Sequence, residues 1–161
     1  MAAAVTLTLD QLAARLNAIP ATTFDLTPAL KTCSLMIAAD AQLNIAEGHS
    51  PDGVTFAPLK RPRRNSKGGD KPLRDKGLLL ASVTPGRMAT TIGPLTLSAG
   101  SGLIYAATHN FGRGPIPQRQ FLGFSKQLLE DCAAEIGGHA AAILCGHADN
   151  TRFGWRYTGP V

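Results

Sequence analysis

The sequence predicts a single α+β domain in which N-terminal and C-terminal helices pack on a small antiparallel sheet, with a long basic loop and an extended C-terminal tail. Three observations predict it. Apolar residues recur at helical spacing towards both ends of the chain; two short runs rich in Thr, Ile and Leu flank Gly93; and between His49 and Lys76 the composition turns to Pro, Gly, Lys, Arg and Asp. At 161 residues the chain is long enough to bury about two-thirds of its extended surface in one core. The expected division is a domain over 1–146, interrupted by the loop 49–76, followed by the tail 147–161.

Thr8 and Gln11 form a capping box with Leu7 and Leu12 as its staple, so a first helix is expected from Leu9 to Ile19, ended by Pro20. Its stripe of Leu9, Leu12, Leu16 and Ile19 makes it amphipathic. Thr27 and Pro28 fit N-cap and N1 of a second helix that continues to about Ala46 and closes at Gly48. Leu30, Cys33, Ile37 and Ala41 line one face of it, and Met36, Ala39 and Leu43 widen the apolar arc beyond what a surface helix needs. That helix should therefore be covered on more than one side.

In the loop that follows, Asp52-Gly53 reads as a turn, and Phe56 and Leu59 are expected to tack its first half to the core. Leu78, Leu79, Leu80 and Val83 suggest one helical turn after Gly77. Arg87–Ile92 and Pro94–Ala99 are the expected strands, and Leu103–Asn110 a short helix. Beyond it, Gly112, Gly114, Pro115 and Pro117 force an elbow flanked by Ile104, Tyr105 and Phe111 on one side and Phe121, Leu122 and Phe124 on the other. Ser125 is a good N-cap for a last helix over Lys126 to Cys145, with Phe124 and Leu129 as staple and a kink or break expected at Gly137-Gly138. The tail holds the only Trp, Trp155, among arginines and aromatics, a mixture suited either to an interface or to a strand folded back on its own domain.

Net charge is +5, but eight of the sixteen Lys and Arg crowd into residues 60–76, among them Lys60, Arg61, Arg63 and Arg64. Such a block attracts phosphate or an acidic protein face, with a solvated loop as the plainer reading. Cys33, Cys132 and Cys145 sit in apolar helical surroundings and read as small buried hydrophobes of a reducing compartment. Four histidines show no HExxH, HxxxH or CxxC spacing, so no metal site is expected, and His109 beside Tyr105 reads as a hydrogen-bonded packing residue. There is no GxSxG, no local serine-histidine pair and no Walker spacing, so no catalytic residue, cofactor or enzymatic activity is expected. The opening MAAAVTLTLD lacks a basic, long-apolar signal pattern, and no run approaches a membrane span.

One series of short motifs goes further. Ser50-Pro51-Asp52-Gly53, then Phe56-Ala57-Pro58-Leu59-Lys60, Leu73, Gly77-Leu78-Leu79 with Ser82-Val83, Tyr105-Ala106-Ala107, His109-Asn110-Phe111-Gly112 and Ile116 to Ser125 run in that order. Together they resemble the phage virion morphogenesis family, the tail-completion proteins of Mu-like and related contractile-tailed bacteriophages, over about Leu30 to Ile136. Family members often carry Trp where this chain has Phe56, and Arg-Pro-Phe-Leu where it has Arg119-Gln120-Phe121-Leu122; both exchanges keep the apolar anchor. The resemblance implies a structural protein of the head-to-tail region of the virion, made in the host cytoplasm. It would form a homo-oligomeric ring, commonly a hexamer, with neck, connector, tail-tube or sheath proteins as neighbours and at most transient contact with phage DNA. Lys60, Arg61, Arg63, Arg64, Tyr105, Phe111, Arg113, Arg119, Phe121 and Trp155 are the expected subunit or partner contacts. The alternative is a nucleic-acid-binding module that uses residues 60–76 on phosphate without base readout, since no aromatics interleave with the cations.

Overall fold

The computed structural model describes residues 25–60 and 71–144. Everything in it is arranged about one long helix, α1 (Thr27–Glu47). Ala29, Leu30, Cys33, Ile37, Ala38, Ala41, Asn44 and Ile45 are buried along it. Those positions cover a wide arc because α1 is packed by the last helix on one side and by the sheet on another. Leu35 and Leu43 stay about half exposed, so the apolar surplus read in the sequence is only partly covered by the described residues.

The start of α1 is capped differently from expectation. Thr27 is already helical and Leu26 holds the N-cap position with no side-chain cap, while Asp25, one residue before it, accepts the Thr27 N–H on Oδ1 at 2.9 Å. Hydrogen bonding from the Thr27 side chain first, and from its backbone N–H second, lowers the Asp25 carboxyl below its ordinary value. At the other end Gly48 takes a left-handed conformation, φ 87°, and its N–H returns to the Asn44 carbonyl, a stop that favours glycine.

After Gly48 the Ser50–Gly53 turn folds the chain back on itself. Ser50 and Val54 are joined by a 2.8 Å backbone bond, and the Phe56 N–H reaches the Gly48 carbonyl at 2.7 Å, which aims Phe56 into the core. Helix α2 (Leu78–Ser82) delivers Leu79 to the core, with Val83 just behind it. Strands β1 (Ala89–Ile92) and β2 (Leu97–Gly100) make a two-stranded antiparallel sheet in the register Ala89↔Gly100 to Ile92↔Leu97. The second strand starts three residues later than predicted, because Pro94 lacks an N–H and the Gly93–Thr96 turn, closed by Gly93 N–H to Thr96 O at 2.8 Å, uses up Pro94 and Leu95. Leu97 and Ala99 pack on the core and Ser82 Oγ lies 2.8 Å from Ser101 Oγ, so the hairpin is pinned between α1 and α2.

Helix α3 (Ala106–Phe111) is short, and α4 (Lys126–Leu144) is long. Ser125 caps α4 as predicted, its Oγ accepting the Leu128 N–H at 3.1 Å, while Phe124 and Leu129 remain more than half exposed and contribute little to the core. No break occurs at Gly137-Gly138: α4 runs on through both, which are exposed with open space around them. The helix lies antiparallel to α1, with Cys132 against Cys33 and His139 Nε2 2.7 Å from the Asp25 carbonyl. The predicted helix over 9–19, the cations Arg61, Arg63 and Arg64, Cys145 and the tail with Trp155 lie outside the described residues.

Candidate interaction site at the elbow

The elbow between α3 and α4 is built around two asparagines. Asn110, the last buried residue of α3, accepts the backbone N–H groups of Phe121 and Leu122 on its Oδ1, at 3.1 and 2.9 Å. Asn44, buried on α1, donates from Nδ2 to the Phe121 carbonyl at 3.2 Å and to Asp40 Oδ2 at 3.0 Å. The N–H and C=O of Phe121 and the N–H of Leu122 are all bonded in this way, and Phe121 is 1% exposed. Burial raises the Asp40 carboxyl above its ordinary value, against the opposing bond from Asn44.

Arg119 closes the same junction from the other side. Its backbone N–H donates to the His109 carbonyl at 2.8 Å, its Nε to Ala57 O at 2.8 Å and its Nη2 to Pro58 O at 3.0 Å. One side chain thus joins the elbow to the loop that follows α1. Burial draws the guanidinium below its ordinary value, yet it stays charged at any physiological pH. Between these two tethers the chain makes a tight reversal, Arg113 and Ile116 pairing through two backbone bonds of 3.2 and 3.1 Å. Gly112, at φ 73°, brings the backbone so close to Gln118 that a Cβ would meet its N at 3.0 Å.

Beside the elbow lies a cleft of about 350 Å³ between Leu59 and Leu73, the start of α2 and the Tyr105 to His109 turn of α3. Lys71, Lys76 and Arg119 contribute to its lining, as does Asp75. Tyr105 and His109 meet edge to face with ring centroids 6.0 Å apart. Leu73 is held at φ 64°, a left-handed conformation that costs a leucine about 1–2 kcal/mol and is kept here by its packing on the core.

The expected contact residues separate into two groups. Phe121 and Arg119 lie inside the protomer, at 1% and 6% exposure, as core anchor and internal tie, with Arg119 also lining the cleft. Lys60, Tyr105, Phe111 and Arg113 are exposed on the outside, and Ile104, at 98%, stands beside them. Tyr105 and Phe111, expected as subunit or partner contacts, stand outside the core: α3 turns inward on Ala106 and Asn110, which leaves residues 107 and 111 on an exposed side of it. Of the other cations in the basic stretch, Lys71 and Lys76 are exposed and Arg74 lies within 3.4 Å of the Ala46 carbonyl. The sequence reading missed Asn44 and Asn110 as keystones. Asn44 alone left a signal, a polar residue on a helix face otherwise made of Ile37, Ala41 and Ile45.

Among the described residues no three of His, Cys, Asp and Glu come together in a way that could hold a metal ion, and no helix is long and apolar enough to cross a membrane. The arrangement offers packing surface and hydrogen-bonded bracing. Compared with known proteins, residues 7–139 match the model of the phage virion morphogenesis family. No curated protein and no solved structure matches the chain.

Proposed function

Because the chain belongs to the phage virion morphogenesis family, and so serves the building of a virion, we propose that it is a structural protein of the head-to-tail region. In this reading copies assemble into a ring, with sixfold symmetry the expected closure, that completes the tail and joins it to the head. The observation that carries the proposal beyond the family is the surface around the elbow. Ile104 and Phe111 are 98% and 71% exposed in the protomer, an arrangement that costs solubility unless neighbours cover it. A ring subunit shows two different faces to its neighbours, and each must be apolar enough to bind yet polar enough to wait in solution. Lys60 and Arg113, both exposed, are the cations proposed to meet neighbouring neck or tail proteins. The role needs no catalysis.

Light scattering on the purified full chain, together with electron microscopy of virions carrying a labelled copy, tests the reading. A ring of defined mass and label at the neck are expected. A protein that stays monomeric at high concentration and is missing from particles overturns it.

A further inference from the structure

The β1–β2 hairpin is an unfinished sheet. Two strands are marginal alone, and natural proteins usually guard exposed edges with charge, proline or a bulge. Neither strand carries any of these. From Met88 to Gly112 the chain has no Asp, Glu, Lys or Arg at all, although such residues make up 17% of the sequence. The register identifies which groups face outward. Gly93 and Thr96 form a hydrogen-bonded pair at the turn, so Thr91↔Ser98 and Ala89↔Gly100 are the other bonded pairs of the ladder. Thr90 and Ile92 therefore turn their N–H and C=O groups away from β2, and Leu97 and Ala99 turn theirs away from β1. The outward Met88 carbonyl already bonds the Thr90 hydroxyl, at 3.1 Å. No third strand pairs with this sheet among the described residues.

The geometry points to strand addition between copies: the free edge of β2 in one protomer pairs with the free edge of β1 in the next. β2 runs opposite to β1, so copies related by rotation about an axis along the strands place β2 antiparallel beside the neighbour's β1, and every junction repeats the antiparallel pairing within the hairpin. The two edges complement each other, and this is why the occupant is a second copy of this chain. An uncharged edge gives a foreign acidic or basic partner nothing to select. The inference rests on the ring reading and names the contact that would close the ring.

Thr90→Pro removes an outward N–H and Ala99→Pro the outward N–H of the other edge, while both spare the ladder within the hairpin. Each variant alone is expected to be monomeric with an unchanged circular dichroism spectrum. Mixed one to one, they should give a species of twice the monomer mass and nothing larger, since one intact edge of each kind remains. Variants that fold and keep the wild-type mass overturn the strand pairing and leave the ring reading standing. A wild-type chain that is monomeric overturns both, and one that stops at two copies overturns the closed pairing. Should either variant fail to fold, hydrogen exchange on the wild-type chain decides: the amides of Thr90, Ile92, Leu97 and Ala99 should exchange at least about tenfold more slowly in the assembly than in dilute monomer. Equal rates overturn the inference.

Discussion

Asn110 and Arg119 show how much of the elbow depends on single side chains. Asn110→Ala would strand the buried N–H of Phe121 and the part-buried N–H of Leu122, and a loss of about 2 kcal/mol is expected in urea unfolding. Arg119→Ala removes two charge-assisted bonds to the Ala57 and Pro58 carbonyls and should cost about 2–3 kcal/mol, so the variant should fail as a monomer before any assembly is measured. His49 gives a smaller effect with a defined pH dependence. Its ring nitrogens lie 2.9 Å from the Ser50 carbonyl and 2.6 Å from Glu47 Oε2, two acceptors that only the imidazolium can satisfy together, and they raise its pKa above the ordinary 6.5. A raised folded value means that the contribution is fully present below 6.5 and is lost as pH rises through that raised value. The melting-temperature gap between wild type and His49→Gln should therefore be wider at about pH 5.5 than at about pH 8.5, by the equivalent of about 0.5 kcal/mol. Reading single residues from sequence reached the Ser125 cap because its partner is three residues away, and failed at Asn44 because its partner, Phe121, is 77 residues away.

The helices were legible wherever a local rule sufficed. Leu30, Cys33, Ile37 and Ala41 recur at helical spacing and Gly48 stops α1, and all four apolar residues are buried as that pattern requires. The hairpin was legible in kind but not in extent, since Thr-rich runs fix strand propensity while Pro94 decides how much of the second run the turn uses. The uninterrupted α4 has a tertiary cause: the contacts of Cys132 with Cys33 on α1 and of His139 with Asp25 just before α1 hold the helix on either side of Gly137-Gly138 and override the weak propensity there. Both glycines are exposed, with open space where a methyl group would project, so Gly137→Ala and Gly138→Ala should each raise stability by about 0.5–1 kcal/mol in thermal melts. The α1–α4 seam itself can be probed through its thiols. Burial pushes Cys33 up to about 12 and raises Cys132 as well. In a Cys145→Ser background, neither thiol should react appreciably with Ellman's reagent at about pH 8 until urea opens the seam, whereupon both should.

At the scale of the whole molecule, one core gathers around α1 while apolar side chains at the elbow, Ile104 and Phe111 among them, are left outside. Sequence could mark all of these residues as anchors, because apolar area is a property of the side chain alone. It could not divide them between inside and outside, because that depends on which face of α3 is turned inward by Ala106 and Asn110. Two phenylalanines on either side of the elbow test the division. Phe121→Ala empties a fully buried site and should cost about 3–5 kcal/mol, a large part of the total stability of a small domain. Phe111→Ser changes a ring that is 71% exposed and should alter the unfolding free energy of the dilute monomer by no more than about 0.5 kcal/mol. Assembly adds a signature by mass action, since anything that binds only the folded chain raises its apparent stability as concentration rises. The wild-type melting temperature should therefore climb with protein concentration. That slope should flatten for Phe111→Ser while its dilute limit stays put, whereas Phe121→Ala should lower the dilute limit. If Phe111→Ser instead lowered the dilute limit as far as Phe121→Ala, the outer surface would belong to the protomer's own core and not to a neighbour.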